Sequence, residues 1–268
     1  MSTYYETNRQ NWNERTRIHA CSRAYDLAGF RAGRNALRPI ERQEVGEVAG
    51  KSLLHLQCHL GTDTLSWARL GARVTGVDFA EEAIAVAQGL NTDLGLDARF
   101  IQVNLYDLPA QLTEQFDIVF TSYGVLCWLH DIPRWAEIAA SYVKPGGLFY
   151  LAEFHPLAVA ICDEGIDGDT FRFTFPYFPQ PEPCYFGPGV TYTDGEGRTQ
   201  TGNYEWPYSL GQVVTALCDA GLRLEFLHEH PCCAFPMLPE MHQDADGLWW
   251  RAKDDLPLMF SIRARKEG

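Results

Sequence analysis

A single carboxylate, Asp78, ends the second of two short apolar runs, which occupy residues 52–58 and 74–77. Gly61 and a helical pattern lie between the two runs. Apolar runs of this length, joined through a helix-sized segment, predict a strand–turn–helix–strand unit with parallel strands. In such a unit, a carboxylate about twenty residues after the first turn can accept hydrogen bonds from both hydroxyls of a ribose. Asp78 therefore indicates a ligand that contains adenosine.

Side chains that could carry protons follow several of the later apolar runs. The carboxyl ends of parallel strands meet at one edge of a sheet, where the ligands of open α/β sheets bind. His155 directly follows the fifth run and is the first candidate for a catalytic base. The other candidates at this edge are His130, Glu153, His228 and His230. A structural role is the alternative for each of them.

Zinc binding is a further possibility to weigh for the segment around residue 230. His228 and His230 alternate onto one face and, with Cys232, could be imagined as zinc ligands. No paired spacing elsewhere in the chain completes a tetrahedral set, so no metal site is predicted. Substrate contacts or rim packing are the preferred interpretations.

Seven strands and the helices between them would position these side chains. The predicted strands are residues 52–58, 74–77, 99–103, 116–121, 148–153, 222–228 and 258–264. Helices are predicted at residues 80–95 and 132–143, and Lys144-Pro145-Gly146-Gly147 stops the second of these. Ser209 is predicted to cap one more helix, which ends at Gly221. The main domain is predicted at residues 51–153 and 209–268.

Two further segments are expected to cover the ligand edge. Residues 1–50 look helical and amphipathic, and a lid that carries Trp12 and His19 is weighed equally with a plain surface helix. Residues 154–208 are rich in aromatic residues and proline, with a β-hairpin predicted around a turn at residues 194–197. Because this insertion leaves from the ligand edge, we expect it to form a cap that includes Tyr204 and Trp206.

Composition limits the partners and the cellular location that we expect for this protein. The chain has 268 residues, 46% of them hydrophobic, and its net charge is −13 from 22 basic and 35 acidic residues. Such a surface repels polyanions, so neither nucleic acid nor an anionic membrane is an expected partner. No apolar stretch is long enough to span a bilayer and no export signal is visible, which predicts a cytoplasmic protein with its eight cysteines reduced.

Five segments, taken in order, resemble the class I S-adenosylmethionine-dependent methyltransferases. They cover roughly residues 50–156 and read LLHLQCHLGTDTL, VTGVDFAEEAIAVA, FIQVNLYDLP, FDIVFTSYGVLCWLHD and VKPGGLFYLAEFHP. The resemblance implies an α/β fold, with a Rossmann-like seven-stranded sheet, a reversed last strand and helices on both faces. A β-rich cap would then be inserted after strand five.

The cofactor that the resemblance implies is S-adenosylmethionine. Its methionine end would lie at the first turn, its ribose on Asp78, and its adenine near Phe79 and Asn104. The residues that the resemblance assigns to the cofactor are Gln57, Cys58, His59, Gly61, Asp78, Phe79, Asn104, Leu105, Ser122 and Tyr123.

The first turn departs from the family pattern, an acidic residue followed by Gly-x-Gly-x-Gly. His55, Gln57 and His59 stand in three of these places, and only Gly61 is retained. Glycine allows close approach of the backbone and a positive φ. The side chains at positions 57 and 59 would therefore either crowd the methionine end or hydrogen-bond to it. Asn104 also replaces an aspartate that many members have.

The predicted activity is methyl transfer to an oxygen or nitrogen of a small, aromatic or heterocyclic molecule, by a monomer or homodimer. Such a transfer needs no metal and no covalent intermediate, and a base only if the acceptor carries a proton of high pKa. Candidate substrate contacts are Trp12, His19, Trp128, His130, Glu153, Tyr204, Trp206, His228 and His230. A non-catalytic relative with the same fold and a nicotinamide-dependent oxidoreductase are the alternatives.

Overall fold

A seven-stranded mixed sheet forms the centre of the protein in a computed structural model, which describes residues 2–161, 166–167, 170–253 and 256–268. Its strands are β1 Ser52–Leu56, β2 Arg73–Asp78, β3 Arg99–Gln102, β4 Phe116–Ser122, β5 Val143–Phe154, β6 Leu222–His230 and β7 Met259–Lys266. Their order in space is β6-β7-β5-β4-β1-β2-β3. The β7 strand runs antiparallel to both of its neighbours, and the other adjacent pairs are parallel. The predicted Rossmann-like sheet with a reversed last strand is confirmed.

Helices cover both faces of the sheet, as predicted. They are α1 Ser2–Ala20, α2 Leu27–Arg31, α3 Pro39–Val45, α4 Thr62–Arg69, α5 Glu81–Asp93, α6 Ile132–Tyr142, α7 Pro156–Ile161 and α8 Leu210–Asp219. Short 3-10 turns occupy Leu105–Ala110 and Leu126–Trp128. One buried cluster packs α6 and α8 against Leu54 and Val119, and another packs Trp67 of α4 against Phe120 and Tyr150. Alternate residues of each central strand thus face opposite helical layers.

The central strand β1 is hydrogen-bonded on both sides. Leu53 pairs with Val74 of β2 and with Ile118 of β4, both in parallel register. The carboxyl ends of β1, β2 and β4 therefore lie side by side, and each opens into a turn at the same edge. Ser209 caps α8 as predicted, since its hydroxyl accepts a hydrogen bond from the Gln212 amide at 3.2 Å.

The segments outside the main sheet contain only short strands among the residues that the structure describes. Cys184–Phe186 pairs antiparallel with Asn203–Glu205. Ile166–Asp167 pairs antiparallel with Thr170–Phe171. A third small sheet consists of three two-residue strands, Cys232–Cys233, His242–Gln243 and Trp249–Trp250. The first pair flanks the predicted turn at residues 194–197, so the predicted hairpin is present, but its strands pair only at the two ends of a long connection, residues 187–202. Residues 162–165 and 168–169 of the predicted cap lie outside the described residues.

Among the helices that the structure describes, none has the length and apolar character needed to cross a bilayer.

Candidate functional site

The turn after β1 has the backbone shape of a glycine-rich loop, although two of its three key residues carry side chains. Gln57 has a φ of 59°, His59 of 48° and Gly61 of 73°. Left-handed backbone costs a residue with a Cβ roughly 1–2 kcal/mol. The surrounding contacts must supply that free energy, so the unusual turn is maintained by its environment.

Gly61 is required for packing. A Cβ added there would lie 2.7 Å from Ala87 Cβ of α5 and 2.9 Å from the Phe100 ring of β3. Gly61 does not line the cavity described below, and its predicted contact with a cofactor stays a prediction. The glycine allows α4 to begin close to α5.

Asp78 ties the end of β2 to this turn. Its Oδ2 accepts a hydrogen bond from the His59 amide, and its Oδ1 accepts one from the Ala80 amide, each at 2.9 Å. Burial raises the pKa of Asp78 to about 6, and the backbone hydrogen bonds act in the opposite direction. Each carboxylate oxygen keeps a further lone pair for a ligand hydroxyl.

A cavity opens at the carboxyl ends of β1, β2 and β4, where the sequence predicted a ligand. Nine of the ten predicted cofactor residues line it, namely Gln57, Cys58, His59, Asp78, Phe79, Asn104, Leu105, Ser122 and Tyr123. Asn104 also caps the following 3-10 turn, because its side chain accepts a hydrogen bond from the Tyr106 amide. The cavity lining therefore combines the ribose-type carboxylate with the apolar turns after β2 and β3.

A second group of lining residues carries opposite charges. Asp63, in the first turn of α4, lines it together with Arg34 and Arg38 from the segment that precedes β1. Burial raises the pKa of Asp63, whereas the two guanidinium groups and a 3.3 Å hydrogen bond from Ser122 act to lower it. Such a set can neutralise both the ammonium and the carboxylate of an amino acid.

His55, where the family usually has an acid, is neutral and structural. Its Nδ1 lies 2.8 Å from Thr64 Oγ1, and burial lowers the pKa of the ring to about 3. It lines the same cavity as Asp63. Asp63, eight residues later in the chain, therefore supplies the carboxylate that position 55 lacks.

Among the residues that line the cavity, two atoms besides the ion-paired Arg34 Nε are buried without a hydrogen-bond partner in the part of the chain that the structure describes. These atoms are Gln57 Oε1 and His59 Nδ1. Gln57 is held by its Nε2 group, which donates to the Val125 carbonyl at 3.1 Å. A buried polar atom left unpaired costs about 1–3 kcal/mol, and a ligand with complementary polar groups would remove that cost.

Aromatic rings form the outer wall of the cavity. Trp12 of α1 packs edge-on against Trp128, with ring centroids 5.0 Å apart, and against His59, also at 5.0 Å. The hydroxyls of Tyr25 and Tyr192 are 2.6 Å apart, and both residues line the cavity. Phe235, from the loop after β6, completes this wall.

His19 contacts His59, which lines the cavity, but does not line the cavity itself. Its Nδ1 lies 2.9 Å from His59 Nε2, while its own ring is buried and outside the cavity lining. Burial lowers the pKa of His19 to about 2 and that of His59 to about 3, so both rings are neutral near pH 7. A neutral pair contributes one hydrogen-bond donor and one acceptor to its surroundings.

The remaining predicted substrate residues lie outside the cavity lining, and so does His155. His155 Nδ1 accepts a hydrogen bond from the Leu157 amide, and its Nε2 lies 3.0 Å from Glu229 Oε1. Glu153 is fully buried and accepts hydrogen bonds from the amides of residues 124, 125, 126 and 154. Both residues shape the rim.

The other predicted contacts bind neighbouring elements. His130 Nδ1 is hydrogen-bonded to the Tyr5 hydroxyl, His228 Nδ1 lies 2.7 Å from Glu44 Oε1, and His230 Nε2 lies 3.0 Å from Ser261 Oγ. Tyr204 packs against Tyr4, and Trp206 against Tyr5 and His130. The Tyr204–Tyr4 and Trp206–Tyr5 pairs attach the insertion to α1.

Helix α1, which contributes Tyr5 and Trp12 to the cavity lining, is held by contacts on two sides. Arg9 and Arg17 form ion pairs with Glu81 and Glu82 at the start of α5. On the other side, the carboxylate of Glu14 accepts hydrogen bonds from the amides of Gln200 and Thr201. These contacts hold Trp12 over the site.

The sequence analysis missed several residues of the cavity wall. Asp63 could have been found, because it is an acidic residue in the first turn of the helix that follows the loop. Arg34, Arg38, Tyr25 and Tyr192 had no such local signal, since they lie far from the strand ends in sequence.

A family model described as "Methyltransferase domain" matches residues 53–147. Among curated proteins, the chain is 31% identical over 151 residues to a ubiquinone biosynthesis O-methyltransferase of Xanthomonas euvesicatoria pv. vesicatoria strain 85-10. This alignment covers 54% of the chain and 63% of the relative, so the chain spans less than two thirds of that relative's length.

Solved structures with the same fold include a S-adenosylmethionine dependent methyltransferase from Mesorhizobium loti. It is 20% identical with a TM-score of 0.62, and the match covers 88% of this chain and 100% of that one. The glycopeptide N-methyltransferase MtfA, complexed with S-adenosylmethionine, is 17% identical with a TM-score of 0.54, covering 85% of this chain and 86% of that one. At these identities the likeness concerns the fold.

Proposed function

We propose that this chain, which belongs to the class I S-adenosylmethionine-dependent methyltransferases, transfers the methyl group of S-adenosylmethionine to an oxygen or nitrogen of a small molecule. The family predicted from the sequence is confirmed by the domain match at residues 53–147 and by the shared fold. The acceptor class, the cytoplasmic location and a monomeric or homodimeric state remain parts of the proposal.

One observation carries the proposal: a single cavity is lined both by a ribose-type carboxylate and by a group of opposite charges. Asp78 would accept from the sugar hydroxyls, and Phe79 and Leu105 would contact the adenine. Asp63 would hold the ammonium and Arg38 the carboxylate of the methionine part. Gln57 and His59 line the same cavity, and their unpaired Oε1 and Nδ1 atoms would accept or donate hydrogen bonds to the ligand.

When bound, S-adenosylmethionine supplies an electrophilic methyl group on a positively charged sulfur. The protein has to hold an acceptor against that methyl group and exclude water. Trp12 and Trp128 close the cavity on the α1 side, and Tyr192 and Phe235 close it on the other. In this proposal α1 acts as a lid, and residues 154–208 act as a cap that contributes Tyr192.

The non-catalytic alternative is favoured by one observation, the presence of side chains at positions 57 and 59, where the family has glycine. Calorimetric titration with S-adenosylmethionine, S-adenosylhomocysteine and nicotinamide dinucleotides separates the candidates. We expect binding of the first two and none of the dinucleotides. Absence of binding by S-adenosylhomocysteine would overturn the enzymatic proposal and leave a scaffold role.

A further inference from the structure

Tyr123 has three features that binding of the proposed cofactor does not require. It lines the cavity at the end of β4, its backbone is left-handed with a φ of 37°, and its hydroxyl donates a hydrogen bond to Glu41 Oε2 at 2.5 Å. Strained backbone of this kind persists only where the surroundings over-determine it. The bond to Glu41 is one such restraint.

Glu41 is a buried carboxylate with few hydrogen-bond donors. It lies on α3 and is fully excluded from solvent. Besides the Tyr123 bond, its Oε1 accepts a hydrogen bond from the Arg38 amide at 2.5 Å. The ionisable groups packed against the pair are Asp63 of α4 and Tyr150 of β5.

Glu41 differs in this respect from Glu153, the other buried glutamate next to the turn after β4. Glu153 accepts from four backbone amides, and such donors favour the ionised form of a carboxylate. Glu41 accepts from the Tyr123 hydroxyl and the Arg38 amide, its own amide acts in the same direction, and burial nevertheless raises its pKa to about 8. Burial also raises the pKa of Tyr123 well above its usual value, so an isolated phenolate is disfavoured.

We propose that Tyr123 and Glu41 form a proton relay for the methyl acceptor, which is therefore a molecule that reacts through an O–H group such as a phenol. Tyr123 is the catalytic residue of the relay, because it faces the cavity, and Glu41 is a positioning residue that stores the proton. This inference rests on the proposed function.

The step balances without any further reactant. As the acceptor oxygen forms its bond to the methyl carbon and the carbon–sulfur bond breaks, the acceptor proton passes to Tyr123 Oη. The proton already on Tyr123 passes to Glu41 Oε2. Tyr123 ends neutral, and the positive charge of the sulfonium and the negative charge of Glu41 disappear together, which is favourable in a site of low dielectric constant.

The same face of the sheet offers a matched control. The Tyr150 hydroxyl donates to Glu44 Oε2 at 2.7 Å, so Tyr150 and the half-buried Glu44, which also contacts His228, form a second tyrosine–glutamate pair. Neither residue lines the cavity. Glu44→Gln therefore changes the same chemical group one helical turn away without touching the proposed relay.

The first measurement needs no turnover. Infrared spectra of the full-length protein with S-adenosylhomocysteine bound are recorded as a function of pH for the wild type, Glu41→Gln and Glu44→Gln. We expect a protonated-carboxyl C=O band that grows as the pH falls through about 8, and that is missing from Glu41→Gln and retained in Glu44→Gln. Asp78 and the other buried carboxyls also contribute to this band, so the test is the component that titrates near pH 8, and its persistence in Glu41→Gln would overturn the assignment of Glu41 as the proton store.

The second measurement uses catechol and 3,4-dihydroxybenzoate as acceptors. Glu41→Gln and Tyr123→Phe should each lower kcat by about 10²- to 10⁴-fold, which is the usual size of general-base effects. For Glu41→Gln, KM should change little and the fall of kcat/KM below pH 8 should be lost, whereas Glu44→Gln should behave as the wild type.

Equal losses of kcat in Glu41→Gln and Glu44→Gln, or an unchanged pH profile in Glu41→Gln, would overturn the relay. A wild-type protein that binds S-adenosylmethionine but methylates neither hydroxyl acceptor would also overturn it. Failure to bind S-adenosylmethionine or S-adenosylhomocysteine in calorimetry would instead contradict the proposed function itself, so the two failures are distinguishable.

Discussion

The carboxylate of Asp78 accepts a hydrogen bond from the backbone amide of His59, with 2.9 Å between Oδ2 and the nitrogen. The strand-end acid is therefore joined directly to the turn in which side chains replace glycine. Because His59 has a φ of 48°, this bond also helps to hold an otherwise unfavourable backbone conformation. Ligand recognition and the shape of the turn depend on the same carboxylate.

Affinity for S-adenosylhomocysteine is expected to fall as the pH drops through about 6. Burial raises the pKa of Asp78 to about 6, so the carboxylate takes up a proton below that pH and loses acceptor capacity for the ribose hydroxyls. Calorimetric titration between pH 7.5 and 5 measures the change. In Asp78→Asn the affinity should be lower at pH 7.5 and flat across this range.

The variant Asp93→Asn provides the control, since Asp93 is an exposed carboxylate at the end of α5 that forms an ion pair with Arg31. It should bind with the affinity and pH dependence of the wild type. A pH-independent affinity in the wild type would remove Asp78 from the ligand contacts.

At position 57 the glycine variant should be more stable than the alanine variant. Gln57 has a φ of 59°, where a Cβ costs about 1–2 kcal/mol, so Gln57→Gly should unfold at higher denaturant concentration than Gln57→Ala. Both variants lose the same side-chain hydrogen bond to Val125. The difference between their free energies of unfolding therefore measures the cost of a Cβ in this backbone conformation. Urea unfolding measures it.

The matched comparison is made at His55, which lies within β1. There the order should reverse, with His55→Ala more stable than His55→Gly by about 0.5–1 kcal/mol, because glycine loses more conformational entropy in a strand. The same order at both positions would contradict the strained turn.

The sheet could be predicted from the sequence because its signals are local. Each apolar run, such as residues 116–121, is bounded by turn residues, and each is close to an observed strand, in this case Phe116–Ser122. The hairpin around residues 194–197 could be predicted only in outline, because glycine and aspartate mark a turn without fixing how far from it the strands pair. The pairing strands are only three residues long and have little apolar periodicity.

Only those residues of the candidate site that follow strands of the sheet could be predicted from the sequence. Asp78 and Asn104 stand at strand ends, where the fold itself places them. Arg38 and Tyr192 reach the same cavity from segments that precede and follow the five-strand unit, and only tertiary packing brings them there. Conversely, His155 stands at a strand end, but its ring is turned toward Leu157 and Glu229.

Replacement of Glu153 by glutamine is expected to destabilise the fold by about 1–3 kcal/mol, the cost of leaving buried donors unpaired. The carboxylate accepts from the amides of Val125 and Leu126 at 2.8 and 2.9 Å, among others, and an amide group would place a donor against some of these donors. Thermal and urea unfolding measure the loss. Glu137→Gln, at an exposed ion pair on α6, should change stability far less, and equal losses would contradict this role of Glu153.

Stability should fall as the pH is lowered from 7 to 5, in part because His19 is buried in its neutral form. Burial lowers the pKa of His19 from 6.5 to about 2, so the unfolded chain binds a proton in this range and the folded protein does not. The free energy of unfolding therefore decreases with falling pH, by about 2 kcal/mol for this one group.

Asp78 and Glu41, whose pKa values are raised, act in the opposite direction, so the comparison must be made between variants. His19→Gln should reduce the difference in unfolding free energy between pH 7 and pH 5 by about 2 kcal/mol relative to the wild type. His242→Gln, at an exposed position outside the cavity lining, removes a histidine without disturbing the His19–His59 contact. An equal reduction in both variants would show that the effect does not arise from burial of His19 behind the cavity.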